Sequence, residues 1–154
     1  MTLAIAFAWN GLLLLAVAVF MEFVARFTHK YVMHGCLWSL HEDHHRPRGR
    51  GLQKNDLFAV FFAVISIGLI AGGALAGWRM PPIAAGLGMA LYGAGYLLFH
   101  DVMFHRRIPG LRIRARGRYL QRIVRAHAAH HQHSDKTQGV SFGFLYASRQ
   151  YDNE

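Results

Sequence analysis

Cysteine is almost missing from this chain: Cys36 stands alone among 154 residues. One thiol forms no intrachain disulfide, and its solitude rules out the thiolate sets of iron–sulfur clusters and zinc ribbons. It reads as a small apolar residue. Charge is missing as well, over Thr2–Met21, Leu57–Trp78 and Met80–Phe99. Each stretch approaches or exceeds the ~20 residues that a helix needs to cross a bilayer core of ~30 Å, so an ordinary soluble domain is excluded. Internal repeats and low-complexity tracts are also lacking, and the length suits one compact domain over residues 1–154 with no linker-separated second one. The fold expected is an all-α integral membrane protein with about three transmembrane helices, over about 2–21, 57–78 and 80–99.

What the chain has in abundance is histidine. Ten of its eleven histidines fall into four clusters of two kinds: His29 with His34, His41 with His44 and His45, His100 with His105, and His127 with His130 and His131. Imidazole is the commonest metal ligand among side chains and suits zinc, copper, iron or nickel. On a helix, positions i, i+3 and i+4 share a face, so each triplet presents three ring nitrogens on one side and could cap a metal. The pairs are different, because five residues at about 100° each put their members roughly 140° apart on a regular α-helix. Either the helix is kinked or bulged there, or the two members serve different ions. Ten ligands shared between two metals leave open positions for a small molecule, as catalytic sites require and closed structural sites do not. His133 lies outside the pattern and reads as an ordinary residue.

The first span has no basic residue before it, unlike a cleavable signal peptide, and is expected to stay in the mature chain. The turn Trp78–Pro82 has one Arg, whereas 26–54 and the region after Phe99 hold nearly all the other basic residues. The N-terminus is therefore expected outside the cell membrane, and clusters 29–45, 100–105 and 127–131 on its cytoplasmic side. An unbroken first helix from Leu3 to Met33 would be about 45 Å long, about 15 Å more than the bilayer core, carrying His29 and His34 beyond it. The third span likewise runs into His100 and His105. Asn55 and Asp56 read as the cap of the second span, and Gly68 with Gly72, or Gly73 with Gly77, as close-packing pairs. Leu120, Ile123 and Val124 form an apolar stripe that His127, His130 and His131 continue, opposite Arg118, Arg122 and Arg125, so a short amphipathic helix aims the last triplet inward. Eight arginines lie within Arg106–Arg125, and the formal charge is +9. Beside a span, such a run reads as contact with anionic lipid headgroups at about 1 kcal/mol per residue, and not with nucleic acid.

His41-Glu42-Asp43-His44-His45 fits the zinc-protease pattern, with His41 and His45 as ligands and Glu42 as base. The second triplet, however, holds Ala128 and Ala129 where a base would stand, and a protease leaves seven histidines unexplained. A reversible metal carrier is a third reading. Two open, histidine-rich metals facing a bilayer suit activation of dioxygen against an aliphatic C–H bond, which offers acid–base and nucleophilic catalysis no grip. That demands a redox-active metal, and zinc has no redox chemistry.

The stretches Phe27–Gly35, His41–His45, Asn55–Leu57, Phe99–His105, Ala126–His131 and Gly139–Leu145 resemble the bacterial β-carotene hydroxylases, within the fatty acid hydroxylase superfamily, over nearly the whole chain. The chain ends soon after Leu145, so a longer C-terminal tail is expected to be missing. The resemblance implies a non-haem di-iron monooxygenase that uses dioxygen to hydroxylate β-carotene rings at the 3-position, by way of β-cryptoxanthin to zeaxanthin. It implies two iron ions on the ten clustered histidines, Asp101 at a matching position as a candidate partner behind the ligands, and electrons from a ferredoxin-type donor. A hydroxylase or ketolase acting on another carotenoid or lipid is the nearest alternative.

Overall fold

The computed structural model describes residues 2–47, 49, 51–133, 135–137 and 139–152, and among them every regular element is helical. Helix α1 is Leu3–Phe27 and passes into a π-helical segment, Thr28–Cys36; α2 is Trp38–His45, α3 Asp56–Leu75 and α4 Met80–Tyr96. A second π-helical segment, Leu97–Phe104, follows α4, then α5 at Arg118–Gln132 and a 3₁₀ turn at Arg149–Tyr151. Three continuous helical stretches are long and apolar enough to cross a membrane: Leu3–Cys36, Asp56–Leu75 and Met80–Phe104. Their large apolar side chains, Leu12, Phe20, Val64 and Leu91 among them, remain exposed, as a lipid-facing surface requires.

The chain forms two compact units. The first comprises 1–21 and 58–94, the second 22–57 and 95–154. In the first, packing depends on small residues. A Cβ on Gly88 would stand 2.5 Å from the Leu14 carbonyl oxygen, and one on Gly86 2.7 Å from that of Ser66. Ser66 Oγ donates to the Gly86 carbonyl at 2.7 Å, satisfying its hydroxyl within apolar surroundings. Gly73 is as tightly placed, against Ile83 and the Arg79 carbonyl. Gly68 and Gly72 have nothing within 4 Å, and Gly77 adopts φ 82° just past the end of α3. The close-packing pairs read from the sequence are thus corrected: the tight contacts fall on Gly73, Gly86 and Gly88.

The second unit has an interior made largely of imidazole. His41, His44 and His130, with Val102, are its most deeply buried large side chains. A smaller apolar cluster of Ile123, Ala126 and Ala147 packs against Phe104 and Tyr151. The C-terminal turn is tied to α5, where Arg125 donates to the Tyr151 and Asp152 carbonyls and Arg122 pairs with Asp152 at 3.2 Å. Two of the arginines read as a headgroup-facing run therefore fasten the chain to itself.

The first helix continues past Met33, as the sequence predicts. Its hydrogen-bond pattern widens from α to π at Thr28, and only Gly35, beyond Met33, leaves helical geometry at φ −109°, ψ −118°. Asn55 and Asp56 do not cap α3 with their side chains. Asn55 Oδ1 is occupied by His41, and Asp56 binds Arg107 and the Gln53 amide.

Candidate metal centre

The two π-helical segments answer the problem posed by the five-residue pairs. The Leu37 amide donates to the Val32 carbonyl and the His105 amide to the His100 carbonyl, both bonds spanning five residues. Residues five apart then stand on one face, one turn above the other. His29 and His34 come to 5.2 Å between ring centroids, and His100 and His105 to 4.6 Å.

All ten clustered histidines lie in the second unit, where nine form two groups. His29, His34, His41, His45 and His130 make one; His44, His100, His105 and His127 make the other. Within each group the ligand atoms lie no more than 4.8 Å apart. An ion with Zn–N-like bonds of about 2.1 Å spans about 4.2 Å between opposite nitrogens, so each group closes on one ion with small adjustment. His131, the tenth, lies between them, stacked on His45 at 4.5 Å and edge-on to His105 at 4.6 Å. Neither triplet stays together as the cap of one group. In α2, His41 and His45 join the first group while His44 meets His100, Nε2 to Nε2, at 3.1 Å. In α5, His130 faces His34 at 3.3 Å and His127 faces His105 at 2.7 Å. Around the helix i+4 lies about 40° to one side of i and i+3 about 60° to the other, so two sites set side by side divide a triplet.

The Nδ1 side of the rings is held by oxygen. His41 donates to Asn55 Oδ1 at 2.6 Å, His44 to Gln53 Oε1 at 3.0 Å, and His100 to Asp101 Oδ1 at 2.8 Å. Backbone carbonyls take four more: Phe142 from His29 at 2.9 Å, Val140 from His130 at 2.6 Å, His133 from His45 at 3.1 Å and Lys136 from His34 at 3.3 Å. Carbonyl and carboxylate oxygens only accept, so in these seven rings Nδ1 carries the proton and the lone pair of the neutral ring sits on Nε2. Burial, reinforced by neighbouring imidazoles, keeps the rings neutral: His41, His45 and His130 are pushed down to about 3 and His131 to about 2. His44 and His127 are lowered well below the usual range for the same two reasons. His105 falls to about 4, through burial and then the Arg107 charge.

Lone pair then faces lone pair. His29 and His41 meet Nε2 to Nε2 at 3.1 Å, His34 and His45 at 3.1 Å, His41 and His45 at 3.2 Å. With their protons committed to Nδ1, such contacts repel unless a cation lies among them. His131 Nε2 is buried with no hydrogen-bond partner among the described residues. This donor set fits metal: neutral nitrogens inward, protons bonded outward to oxygens that fix ring orientation and raise basicity. Behind His100, Asp101 also lies 3.4 Å from Arg107, whose guanidinium holds Asp56 through two bonds of 2.7 Å.

A cavity of about 50 Å³ is bordered by both groups and lined besides by apolar side chains, Met33, Phe142 and Phe144 among them. Glu42 faces elsewhere. Its carboxylate is 44% exposed and pairs with Arg46 at 2.8 Å, so α2 carries the one candidate protease base on its outer side. The His133 ring has no part in either group, although its carbonyl serves His45. Gln53, Arg107 and Tyr96 carry no signal of their own in the sequence, and backbone acceptors cannot carry one. Asn55 is legible in the sequence as a helix-cap candidate and within a resembling stretch, but not as the partner of His41.

The Fatty acid hydroxylase family profile matches residues 14–148. The chain is 45% identical to the β-carotene hydroxylase of Pseudescherichia vulneris over 93% of its own length and 80% of that protein. It is 44% identical to the β-carotene hydroxylase of Pantoea ananas over 90% and 78%. A chloroplastic β-carotene 3-hydroxylase of Arabidopsis thaliana is 39% identical over 88% of this chain and 44% of the plant protein. No solved structure matches the chain.

Proposed function

Because the chain belongs to the fatty acid hydroxylase family, we propose that it is a non-haem di-iron monooxygenase that uses dioxygen to hydroxylate the rings of β-carotene at the 3-position, giving β-cryptoxanthin and then zeaxanthin. The observation that carries the reading is the pair of imidazole groups with Nε2 inward and Nδ1 bonded to oxygen, in a chain whose relatives are β-carotene hydroxylases. The ten histidines would hold two irons, nine in the two groups and His131 between them. Bound iron supplies the redox power to activate dioxygen against an aliphatic C–H bond.

The protein's own residues do the rest. Gln53, Asn55, Asp101 and the carbonyls of Phe142 and Val140 hold the rings at fixed orientation. Met33, Phe142 and Phe144 keep water from the cavity and offer apolar surface to a hydrocarbon ring. About 50 Å³ accommodates a dioxygen-sized molecule and not a carotenoid end group, so the ring would stop at the apolar lip with only its reacting edge presented. Placement within about 1 Å is what selects one C–H position among several. The exposed, ion-paired Glu42 supports this reading over a zinc protease on His41, Glu42 and His45.

In this reading residues 1–154 work as one membrane-embedded hydroxylase domain in the cell's inner membrane, with electrons from a ferredoxin-type donor and with lipids around the spans. Basic-residue asymmetry puts the centre on the cytoplasmic face; a reporter fused after Glu154 that is active only in the periplasm would overturn that orientation. The function is tested in cells that accumulate β-carotene: the mono-alcohol should appear first and the diol later, each oxygen labelled from ¹⁸O₂. A ketone as the main product, or alcohols without label, would show a different activity.

A further inference from the structure

One polar side chain in the cavity is not explained by holding a ring in place. The walls include His29 and His41 from the first group, His100 and His127 from the second, and Tyr96. The Tyr96 ring lies nearly parallel on His100, with centroids 4.3 Å apart and planes at 20°. Its hydroxyl oxygen is 3.4 Å from His100 Nε2. An imidazole lone pair lies in the ring plane, so a phenol stacked on the ring face is poorly aligned to donate to it, and 3.4 Å is long for such a bond. The Tyr96 O–H is therefore left without a well-aligned acceptor in that contact, at a cavity wall shared with four imidazoles.

We propose that Tyr96 donates a hydrogen bond to the small oxygen- or nitrogen-based ligand that enters this cavity when the two groups hold iron. A proton donor beside the nitrogen that faces the centre stabilises negative charge on such a ligand, and a water-poor cavity strengthens the bond. The proposal rests on the di-iron reading above. Dioxygen belongs to the ligand class; azide is its stable probe.

Iron-loaded protein in detergent is titrated with azide, followed by absorbance and by the azide infrared stretch in H₂O and D₂O, for wild type and Tyr96→Phe. Phenylalanine keeps the ring that stacks on His100. The variant should bind azide about tenfold or more weakly, the loss expected for one hydrogen bond to a charged acceptor. The wild-type stretch should shift in D₂O, and that shift should vanish in the variant. Equal azide affinity overturns the proposal, as does a wild-type stretch indifferent to D₂O, a reading that needs no variant. A variant that retains less iron than wild type also overturns it, because the hydroxyl would then be holding the centre. Two irons per wild-type chain with azide indifferent to Tyr96 sink this inference alone; no iron in the wild type sinks the di-iron reading and this with it.

Discussion

Asn55 accepts from His41 at 2.6 Å and is buried, so the energetic weight of this residue lies in orienting one ring. Gln53 does the same for His44 from two residues earlier. Loss of such outer partners typically costs 10- to 100-fold in metal affinity. Asn55→Ala and Gln53→Ala should each release iron about tenfold more readily in graded chelator, measured as iron retained per chain. His41→Ala should abolish turnover, and Glu42→Gln, at a half-exposed carboxylate paired with Arg46, should retain iron and activity within about twofold. Iron retention by Asn55→Ala equal to wild type would remove the oriented-ring argument. At this scale the histidines are legible in the sequence because their spacing is regular; Gln53 is not, because a lone amide in a loop has no period and gains meaning only from the ring brought next to it.

Among elements, the π-helical segments and the 139–145 stretch shape the centre. A spacing of five is awkward on an α-helix and natural where bonds close at i→i+5, and widened turns of this kind occur frequently at functional sites. The spacing alone leaves two answers open, a bulged helix or two separate ions, and the backbone decides for the first. The 139–145 stretch has no helical or strand period, yet two of its carbonyls fix His29 and His130. Ser141, between them, sits at φ 54°, a left-handed conformation that costs a residue with a side chain roughly 1–2 kcal/mol. Gly143 follows, and a Cβ there would meet Glu22 Oε1 at 2.5 Å and Arg26 Cδ at 3.0 Å. Glu22 is itself engaged, accepting from the Leu145 amide at 3.2 Å. Gly143→Ala should therefore displace the stretch and lower turnover at least tenfold, while helix content by circular dichroism stays as in wild type. Gly72→Ala, with nothing within 4 Å, is the matched control and should leave activity unchanged. Full activity in Gly143→Ala would mean that the stretch tolerates the shift and does not set the geometry.

On the scale of the molecule, the two units are stabilised by different means. The first relies on close helix packing at Gly73, Gly86 and Gly88. In the second, buried imidazoles with opposed lone pairs replace much of what would be an aliphatic core. A ligand present at about a thousand times its Kd adds about 4 kcal/mol to the folded state, and about 1 kcal/mol moves the Tm of a 150-residue chain by about 2–4 °C. Stripping iron by chelation should lower the thermal midpoint in detergent by roughly 10 °C, and ferrous iron should restore it. Most of the apolar-helix signal should survive chelation, since Leu3–Phe27, Asp56–Leu75 and Met80–Tyr96 need no metal to satisfy their backbone. A midpoint unmoved by chelation, with iron shown to have left, would contradict the account of an imidazole core held by cations.

The sequence by itself determined that this is an all-helical membrane chain, because uncharged runs of about twenty residues are a direct consequence of bilayer thickness. It also singled out ten histidines as a recurring pattern, because periodicity is a one-dimensional property. Their assignment was decided only by the tertiary structure. His44 parts from His41 and His45, and His127 from His130, because two neighbouring groups draw on the same helices from different sides. Apart from Asp101, the outward partners come from non-helical segments, at separations from nine residues for Gln53 and His44 to 113 for Phe142 and His29. No local pattern encodes them: an imidazole proton must be met by whatever oxygen the folded chain places there, and that is settled by packing in three dimensions.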